Sequence, residues 1–221
     1  MKPEQLSSGE LPYLLFVPPG EAEAGRRPLI LFLHGSGERG DSPATLDRLT
    51  VHSLPGLALA DRLPAGPGGE PFPFLVACPQ TGQRRWRDER ERLLAMLDEL
   101  VESRGADRER VYLTGISMGA IGVWELAAAA PGRFAALVPV AWRVPACAGS
   151  LGDTPVWCFV GARDPYFTAD EVERELFARR RRDARTRLDV DPEGGHDGAY
   201  WNRVYGRVEL YEWLLTQRPL P

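Results

Sequence analysis

Cysteine is scarce in this sequence, and its scarcity excludes two kinds of architecture. The three cysteines among 221 residues are Cys78, Cys147 and Cys158. Their number is odd and their positions show no paired spacing. We therefore expect reduced, mostly buried thiols rather than a disulfide framework or a zinc site. This usage is typical of a cytoplasmic protein.

Long hydrophobic runs are also missing. No apolar run approaches the roughly 20 residues that a membrane-spanning helix needs. The apolar stretch near the N-terminus, Leu11 to Val17, is short, contains Pro12 and has no small-residue cleavage site after it. It is therefore not predicted to be a signal peptide, and we expect a cytoplasmic protein with no membrane partner.

The sequence has no large excess of charge of one sign. Its net charge is −4 and its isoelectric point about 5.5, which argues against nucleic acid or an anionic membrane surface as the main partner. The one basic run, Arg179 to Arg182, ends a charged helical pattern and is predicted to be a solvated helix terminus.

Internal repeats and interdomain linkers are absent. The Pro- and Gly-rich patches at 18–25 and 64–73 are short enough to be surface loops. The length suits one domain, 1–221, and a hydrophobic content of 43% is ample for its core.

Short apolar runs predict strands that are buried on both faces, as in a parallel sheet. These runs are Leu29 to Leu33, Phe74 to Cys78, Val111 to Thr114, Ala135 to Ala141 and Val156 to Gly161. Helical patterns lie between and after them, at Asp88 to Glu102, Ala120 to Ala130, Ala169 to Arg179 and Trp201 to Leu215. The alternation predicts a doubly wound α/β sheet, with functional residues at the carboxyl ends of its strands.

The segment GISMG, residues 115 to 119, is a G-x-S-x-G motif between a predicted strand and a predicted helix. In that context the motif is typical of a nucleophile elbow, a strained turn that exposes the hydroxyl of Ser117. Bulky side chains at 115 and 119 would clash with neighbouring backbone, which explains the glycines. An ordinary strand-to-helix turn is the alternative interpretation.

A serine hydroxyl needs a base within hydrogen-bond reach, and the sequence offers three histidines. His34 lies in a Gly-rich turn whose role is better explained by backbone donors. His52 lies in a loop and is interpreted as a structural or rim residue. His196, in a Gly-rich loop before the last helix, is the predicted base.

The base needs a carboxylate that fixes its tautomer and stabilises its charged form. Asp164 directly follows a predicted strand, and it gives the chain order Ser, Asp, His. Three other aspartates are weaker candidates. Asp153 lies at the wrong end of that strand, Asp170 suits a first helical turn, and Asp197 adjoins His196 in a position from which its side chain reaches the ring poorly.

A tetrahedral oxyanion needs two converging donors. The amide of Met118, which follows the serine, is predicted to be one. The second is expected from the HGSG loop, residues 34 to 37, with the amide of Ser36 as the first candidate and either glycine as the alternative.

Several motifs occur in an order that resembles a known family. They are LHGSGERG, PQTGQRRW, RVYLTGISMGAIGVWELA, PVWCFVGARDP and GGHDGAYW. Over roughly residues 11 to 217 the chain resembles the small α/β-hydrolase serine esterases, in particular the carboxylesterase/phospholipase and feruloyl-esterase-like, prolyl-oligopeptidase-related group.

The resemblance implies an α/β-hydrolase fold and hydrolysis of carboxylic esters with no metal and no cofactor. It implies that Ser117 is the nucleophile, Asp164 the acid and His196 the base, and that Ser36 and Met118 are the oxyanion donors. A Pro-Gln pair and a tryptophan border the acyl pocket in related sequences, so Gln80 and Trp86 are candidate substrate contacts. For Trp86, surface packing is the alternative.

The sequence also departs from its relatives. After the strand near Ala141 it reads AWRVPACAG, so Trp142 and Arg143 are expected to narrow or polarise the pocket. The serine in the elbow, where dienelactone hydrolases have cysteine, argues against that family. No segment is long enough for a large cap domain, so we expect an open site.

The function expected from these features is a serine carboxylesterase acting on a small-molecule ester. A peptidase or acyltransferase of the same fold remains an alternative, as does a non-catalytic ligand-binding protein. We expect Trp86 and Trp142 to form walls of the acyl pocket. This predicts a preference for short acyl groups, of about two to eight carbons. A monomer and a homodimer are both left open.

Overall fold

One eight-stranded sheet organises the chain in the computed structural model, which describes residues 1–20, 25–181, 183 and 185–219. The strands are β1 Glu4–Ser8, β2 Leu11–Phe16, β3 Arg27–Leu33, β4 Leu75–Pro79, β5 Ala106–Ile116, β6 Ala136–Val140, β7 Val156–Gly161 and β8 Thr186–Asp191. Their order in the sheet is β1-β2-β4-β3-β5-β6-β7-β8. The pairs β1–β2 and β2–β4 are antiparallel and the others are parallel. The predicted mostly parallel α/β sheet is confirmed.

Helices follow most of the parallel strands. They are α1 Ser53–Leu59, α2 Arg90–Ser103, α3 Met118–Ala129, α4 Ala169–Arg179, α5 Gly198–Tyr205 and α6 Val208–Thr216. The single helix predicted over 201–215 is wrong, because the chain breaks between α5 and α6. Gly206 ends α5 by donating its amide to the Asn202 carbonyl at 2.9 Å, and the extended backbone of Arg207 then begins α6. Glycine has a low helix propensity, which explains why the break falls there.

Both faces of the sheet are covered by apolar side chains. In β3, Leu29, Leu31 and Leu33 face one buried cluster, whereas Ile30 and Phe32 face the other. All five are at most 2% exposed. A strand buried on both sides has no need of polar alternation, which is why its sequence is a continuous apolar run.

The thiols of all three cysteines are free. Cys78 and Cys158 are buried, and Cys147 is half-buried.

The solvated terminus predicted for 179–182 does not extend to Arg180. That side chain is buried and donates from Nη2 to the Thr154 carbonyl at 2.6 Å. Arg182 lies outside the described residues, as do residues 21–24 of the first Pro- and Gly-rich patch.

None of the helices among the described residues combines the length and the apolar character that crossing a bilayer requires.

The loop after β3 is anchored by its first residue, His34, which is fully buried. Nδ1 of His34 donates to the Gly35 carbonyl at 2.5 Å, and Nε2 accepts the Thr81 amide at 3.1 Å. Trp86 donates from Nε1 to the His34 carbonyl at 3.0 Å. Burial, the largest influence, lowers the pKa of His34 to about 4, so the imidazole is neutral at pH 7.

The buried imidazole generates a prediction about stability and pH. The folded pKa of His34, about 4, lies below the model-peptide value of 6.5. The unfolded chain therefore takes up the proton first, and stability is lost as the pH falls from 6.5 to 4, by an amount on the order of 3 kcal/mol. Urea unfolding of the wild type at several pH values in that window should give a falling free energy.

The control for this experiment is His34→Gln, which should be less stable throughout because it loses the Thr81 contact. Its free energy of unfolding should nevertheless fall less steeply between pH 6.5 and 4, since one titrating group has been removed. Equal slopes for the two proteins would contradict the assignment.

Candidate active site

Ser117 forms the turn between β5 and α3 in a strained backbone conformation. Its φ is 52° and its ψ −114°, and conformations of this kind cost about 1–3 kcal/mol for a residue other than glycine. A Cβ at Gly119 would lie 1.9 Å from the Leu33 carbonyl oxygen, and one at Gly115 would lie 2.7 Å from the same oxygen. Both positions therefore require glycine, as the steric argument from the motif predicts.

Three side chains from different strand ends form one hydrogen-bonded row. The Ser117 hydroxyl lies 2.8 Å from Nε2 of His196, and Nδ1 of His196 lies 2.6 Å from Oδ2 of Asp164. Asp164 follows β7, and His196 lies between β8 and α5. The other carboxylate oxygen of Asp164 accepts the Tyr166 amide at 3.0 Å, which fixes the orientation of the carboxylate. The structure thus brings together the serine, histidine and aspartate that the sequence singles out.

The alternative acids lie elsewhere. Asp197 caps α5, because its side chain accepts the Tyr200 amide at 2.9 Å. Asp170 occupies the first turn of α4, and Asp153 precedes β7, at the end of that strand away from Ser117.

His52, the remaining histidine, supports the loop after β3. Its Nε2 lies 3.0 Å from Oε1 of the buried Glu38, and its Nδ1 lies 2.9 Å from the Ser53 hydroxyl. Burial raises the pKa of Glu38, but the interactions with His52, His34 and the Gly35 backbone together outweigh this effect, and the net shift is downward. The contact therefore ties the loop to the start of α1.

The two predicted oxyanion donors each begin a helical segment. Met118 is the first residue of α3, and Ser36 is the first residue of a 3-10 turn, Ser36–Glu38. The first amides of a helix have no acceptor within the helix, so both N–H groups are available for an external acceptor. Both residues border the cavity that contains Ser117. Their role as donors stays a prediction.

A cavity of about 500 Å³ opens over the serine. It is lined by Ser36, Arg39, Arg85, Trp86, Ser117, Met118, Ile121, Glu125, Trp142, Tyr166 and His196. The rings of Tyr166 and Trp142 lie 4.8 and 6.1 Å from the His196 ring, centroid to centroid. Trp86 closes another part of the wall and is only 1% exposed, because its indole is held by the His34 carbonyl. Both predicted tryptophans therefore border the cavity.

Gln80 is not at the cavity, which differs from its prediction as a substrate contact. It is fully buried, and its Nε2 donates to the carbonyls of Glu38 and Thr45, each at 2.8 Å. The Thr45 hydroxyl donates to its Oε1 at 2.8 Å. The amide is engaged with the loop after β3 and holds that loop in place. A Cβ at Gly40 would lie 2.6 Å from Oε1 of Gln80, so this packing also requires a glycine.

Five residues of the wall were not identified from the sequence, namely Arg39, Arg85, Ile121, Glu125 and Tyr166. Ile121 and Glu125 lie in α3. Arg39 lies in LHGSGERG and Arg85 in PQTGQRRW, two motifs whose predicted site residues are Ser36, Gln80 and Trp86. Tyr166 follows Asp164-Pro165. Both arginines could have been identified as site residues from the sequence, because they lie in motifs that follow the carboxyl ends of β3 and β4.

A second cavity, of about 430 Å³, lies apart from this row, and Phe72, Phe74 and Tyr211 form part of its apolar lining. It contains none of the three hydrogen-bonded side chains. Within the described part of the chain, no group of three His, Cys, Asp or Glu side chains is arranged to hold a metal ion.

Comparison with known proteins gives a likeness in structure. No protein-family model and no curated protein matches the sequence. A thermostable esterase of known structure aligns over 98% of this chain and 62% of its own, with 23% identity and a TM-score of 0.78. This chain thus spans less than two thirds of the length of that esterase.

Two further structures cover most of both chains. S-formylglutathione hydrolase FrmB from Staphylococcus aureus aligns over 97% of this chain and 96% of its own, with 12% identity and a TM-score of 0.71. The feruloyl esterase module from Clostridium thermocellum aligns over 94% and 86%, with 14% identity and a TM-score of 0.66. Together with the sheet order and the serine elbow, these likenesses identify the fold of the chain as the α/β-hydrolase fold.

Proposed function

We propose that this protein is a serine hydrolase that cleaves small to medium carboxylic esters through an acyl-enzyme. The observation that carries the proposal is the row from Asp164 through His196 to Ser117, with contacts of 2.6 and 2.8 Å, at the edge of a 500 Å³ cavity. The esterases and the S-formylglutathione hydrolase among the structural neighbours support the same class. A cytoplasmic location, a single domain and the absence of a cofactor belong to the proposal.

In the first half of the reaction, Oγ of Ser117 attacks the ester carbonyl carbon while its proton passes to Nε2 of His196. The amides of Met118 and Ser36 stabilise the resulting oxyanion. The ester C–O bond then breaks, and His196 returns the proton to the departing alkoxide, which leaves as the alcohol.

In the second half, water replaces the alcohol. His196 removes a proton from the water as it attacks the acyl-enzyme carbonyl, and the bond to the serine oxygen then breaks with transfer of that proton to Oγ. Asp164 accepts a hydrogen bond from Nδ1 throughout, which keeps Nε2 free to act as the base. The products are a carboxylic acid and the original serine.

The first prediction concerns the nucleophile. Ser117→Ala should lower kcat for p-nitrophenyl acetate by about 10⁴ to 10⁶. A fluorophosphonate should label the wild type at a single site and should not label the variant, as intact-mass measurement will show. Ser150→Ala is a matched control, since the hydroxyl of this exposed serine contacts only the Cys147 carbonyl. A tenth of wild-type turnover in Ser117→Ala would exclude this nucleophile, and an unlabelled, inactive wild type would favour a ligand-binding protein.

The second prediction separates two neighbouring acids. Asp164→Asn should reduce kcat by about 10⁴, because the amide no longer holds the productive tautomer of His196. Asp197→Asn should change kcat little, because asparagine is as good a helix N-cap as aspartate. Steady-state kinetics of the two purified variants with the same ester would test this, and the reverse order of effects would show that the acid is misplaced.

The third prediction concerns Trp142, whose ring lies 6.1 Å from that of His196. The sequence predicts Trp142 as a wall of the acyl pocket. Because the alcohol oxygen must reach His196 to be protonated, we propose instead that Trp142 limits the size of the alcohol. Trp142→Ala should raise kcat/KM for benzyl butyrate relative to methyl butyrate by about 10-fold, the effect of a contact worth about 1.4 kcal/mol. Leu59→Ala, at an exposed site in α1, serves as the control. An unchanged ratio would exclude Trp142 from the alcohol side.

A further inference from the structure

The guanidinium of Arg39 borders the catalytic cavity without an anionic partner. Arg39 follows the 3-10 turn that contains Ser36, and it is half-buried. Its Nη2 lies 3.0 Å from the thioether sulfur of Met118, which is a weak acceptor. Its Nε is buried and has no hydrogen-bond partner. No described carboxylate lies within ion-pair distance of this side chain.

Other partly buried arginines in the protein do find carboxylates. Arg133 lies 2.7 Å from Asp98, and Arg207 lies 2.8 Å from Asp189. A guanidinium stays charged at any ordinary pH, and a buried donor left without an acceptor is unfavourable. The unpaired guanidinium of Arg39 is therefore an exception located at the site itself, where a bound substrate could supply an acceptor to the part of this group that borders the cavity.

A second guanidinium, that of Arg85, borders the same cavity at its exposed rim. It has no described carboxylate within 4.0 Å. Glu125 also borders the cavity, but one of its oxygens lies 4.0 Å from Nη1 of Arg87, which offsets its charge. Arg85 also attracts Glu125. The wall thus carries two guanidinium groups and one carboxylate, and this net positive charge favours a negatively charged ligand.

The contacts of Arg39 favour the acyl side of the scissile bond. The departing alcohol oxygen must reach Nε2 of His196, so the alcohol group lies beside the Tyr166 and Trp142 rings that contact this imidazole. Arg39 instead contacts Met118, the residue whose amide faces the carbonyl oxygen in the proposed mechanism. A charge held by Arg39 therefore belongs to the acyl group.

We propose that the preferred substrates are monoesters of short dicarboxylic acids, whose free carboxylate is bound by Arg39. A guanidinium presents a planar fork of N–H groups that can donate two parallel hydrogen bonds to a carboxylate, and Arg85 attracts the charge at the rim. Hydrolysis by water releases the alcohol and the dicarboxylate. This inference rests on the proposed esterase function and specifies its substrate class.

The test compares two esters that differ by one charge. Monoethyl glutarate carries a terminal carboxylate, whereas ethyl valerate has an acyl chain of the same number of carbons and no charge. The ratio of kcat/KM for the charged ester to that for the neutral ester, followed by pH-stat, should be about 10 or more in the wild type. In Arg39→Gln this ratio should fall about 10- to 100-fold, as expected for the loss of a charge-assisted pair.

Two further variants sharpen the comparison. Arg39→Lys should give an intermediate ratio, because a lysine keeps the charge but lacks the fork. Arg90→Gln removes an exposed charge at the start of α2, outside the cavity wall, and should leave the ratio unchanged. Because each ratio comes from one protein preparation, partial unfolding of a variant affects both esters equally.

Binding gives a readout that does not need turnover. Calorimetry of Ser117→Ala with glutarate should show binding that is lost in Ser117→Ala/Arg39→Gln and is not reproduced by valerate. A wild-type ratio of one or less, together with no glutarate binding, would overturn the carboxylate site while leaving the esterase proposal intact. Equal turnover by Ser117→Ala and the wild type would instead overturn the esterase proposal, and glutarate binding would then decide the carboxylate site alone.

Discussion

A close backbone approach joins the first turn of α3 to the end of β3. A Cβ on Gly119 would lie 1.9 Å from the carbonyl oxygen of Leu33, so the helix reaches this position only because residue 119 has no side chain. The approach sets the start of α3, with Ser117 and Met118, beside the loop that follows β3. The hydroxyl and the two predicted amide donors therefore share one edge of the sheet.

The same helix depends on glycine one turn further along. A Cβ on Gly122 would lie 2.6 Å from the side chain of Trp86, and Trp86 in turn donates to the His34 carbonyl. Gln80 and the His52–Glu38 pair hold the loop from its other sides. The loop is thus fixed by hydrogen bonds to buried groups, so the Ser36 amide that is predicted to bind the oxyanion is held in place before a substrate binds.

Sequence reasoning predicted the parallel strands well, and it singled out the three side chains that form the hydrogen-bonded row. Both depend on features that a sequence carries directly: continuous apolar runs report burial on two faces, and a G-x-S-x-G between a strand and a helix constrains the backbone. Residues that follow a parallel strand also share one edge of the sheet, so Asp164 and His196 could be selected by position alone.

The direction of a polar side chain beyond a strand end could not be predicted in this way. Gln80 and Arg39 both follow strands. The side-chain amide of Gln80 nevertheless binds the loop after β3, whereas the guanidinium of Arg39 borders the cavity. The break at Gly206 was missed because its apolar neighbours continue the helical period on both sides. The antiparallel pairing of β1 with β2 depends on contacts between segments that carry no motif.

The order of strands in the sheet has a consequence for how the protein is made. β5, β6, β7 and β8 are neighbours both along the chain and in the sheet, so each can join as soon as it is synthesised. β3 instead lies between β4 and β5, and it lacks one neighbour until residue 116 has emerged. Of the three hydrogen-bonded side chains, His196 is synthesised last, after β8. A nascent chain can therefore complete the pairing that supports the serine turn well before it contains the imidazole, which delays the reactive site until most of the hydrophobic core has been assembled.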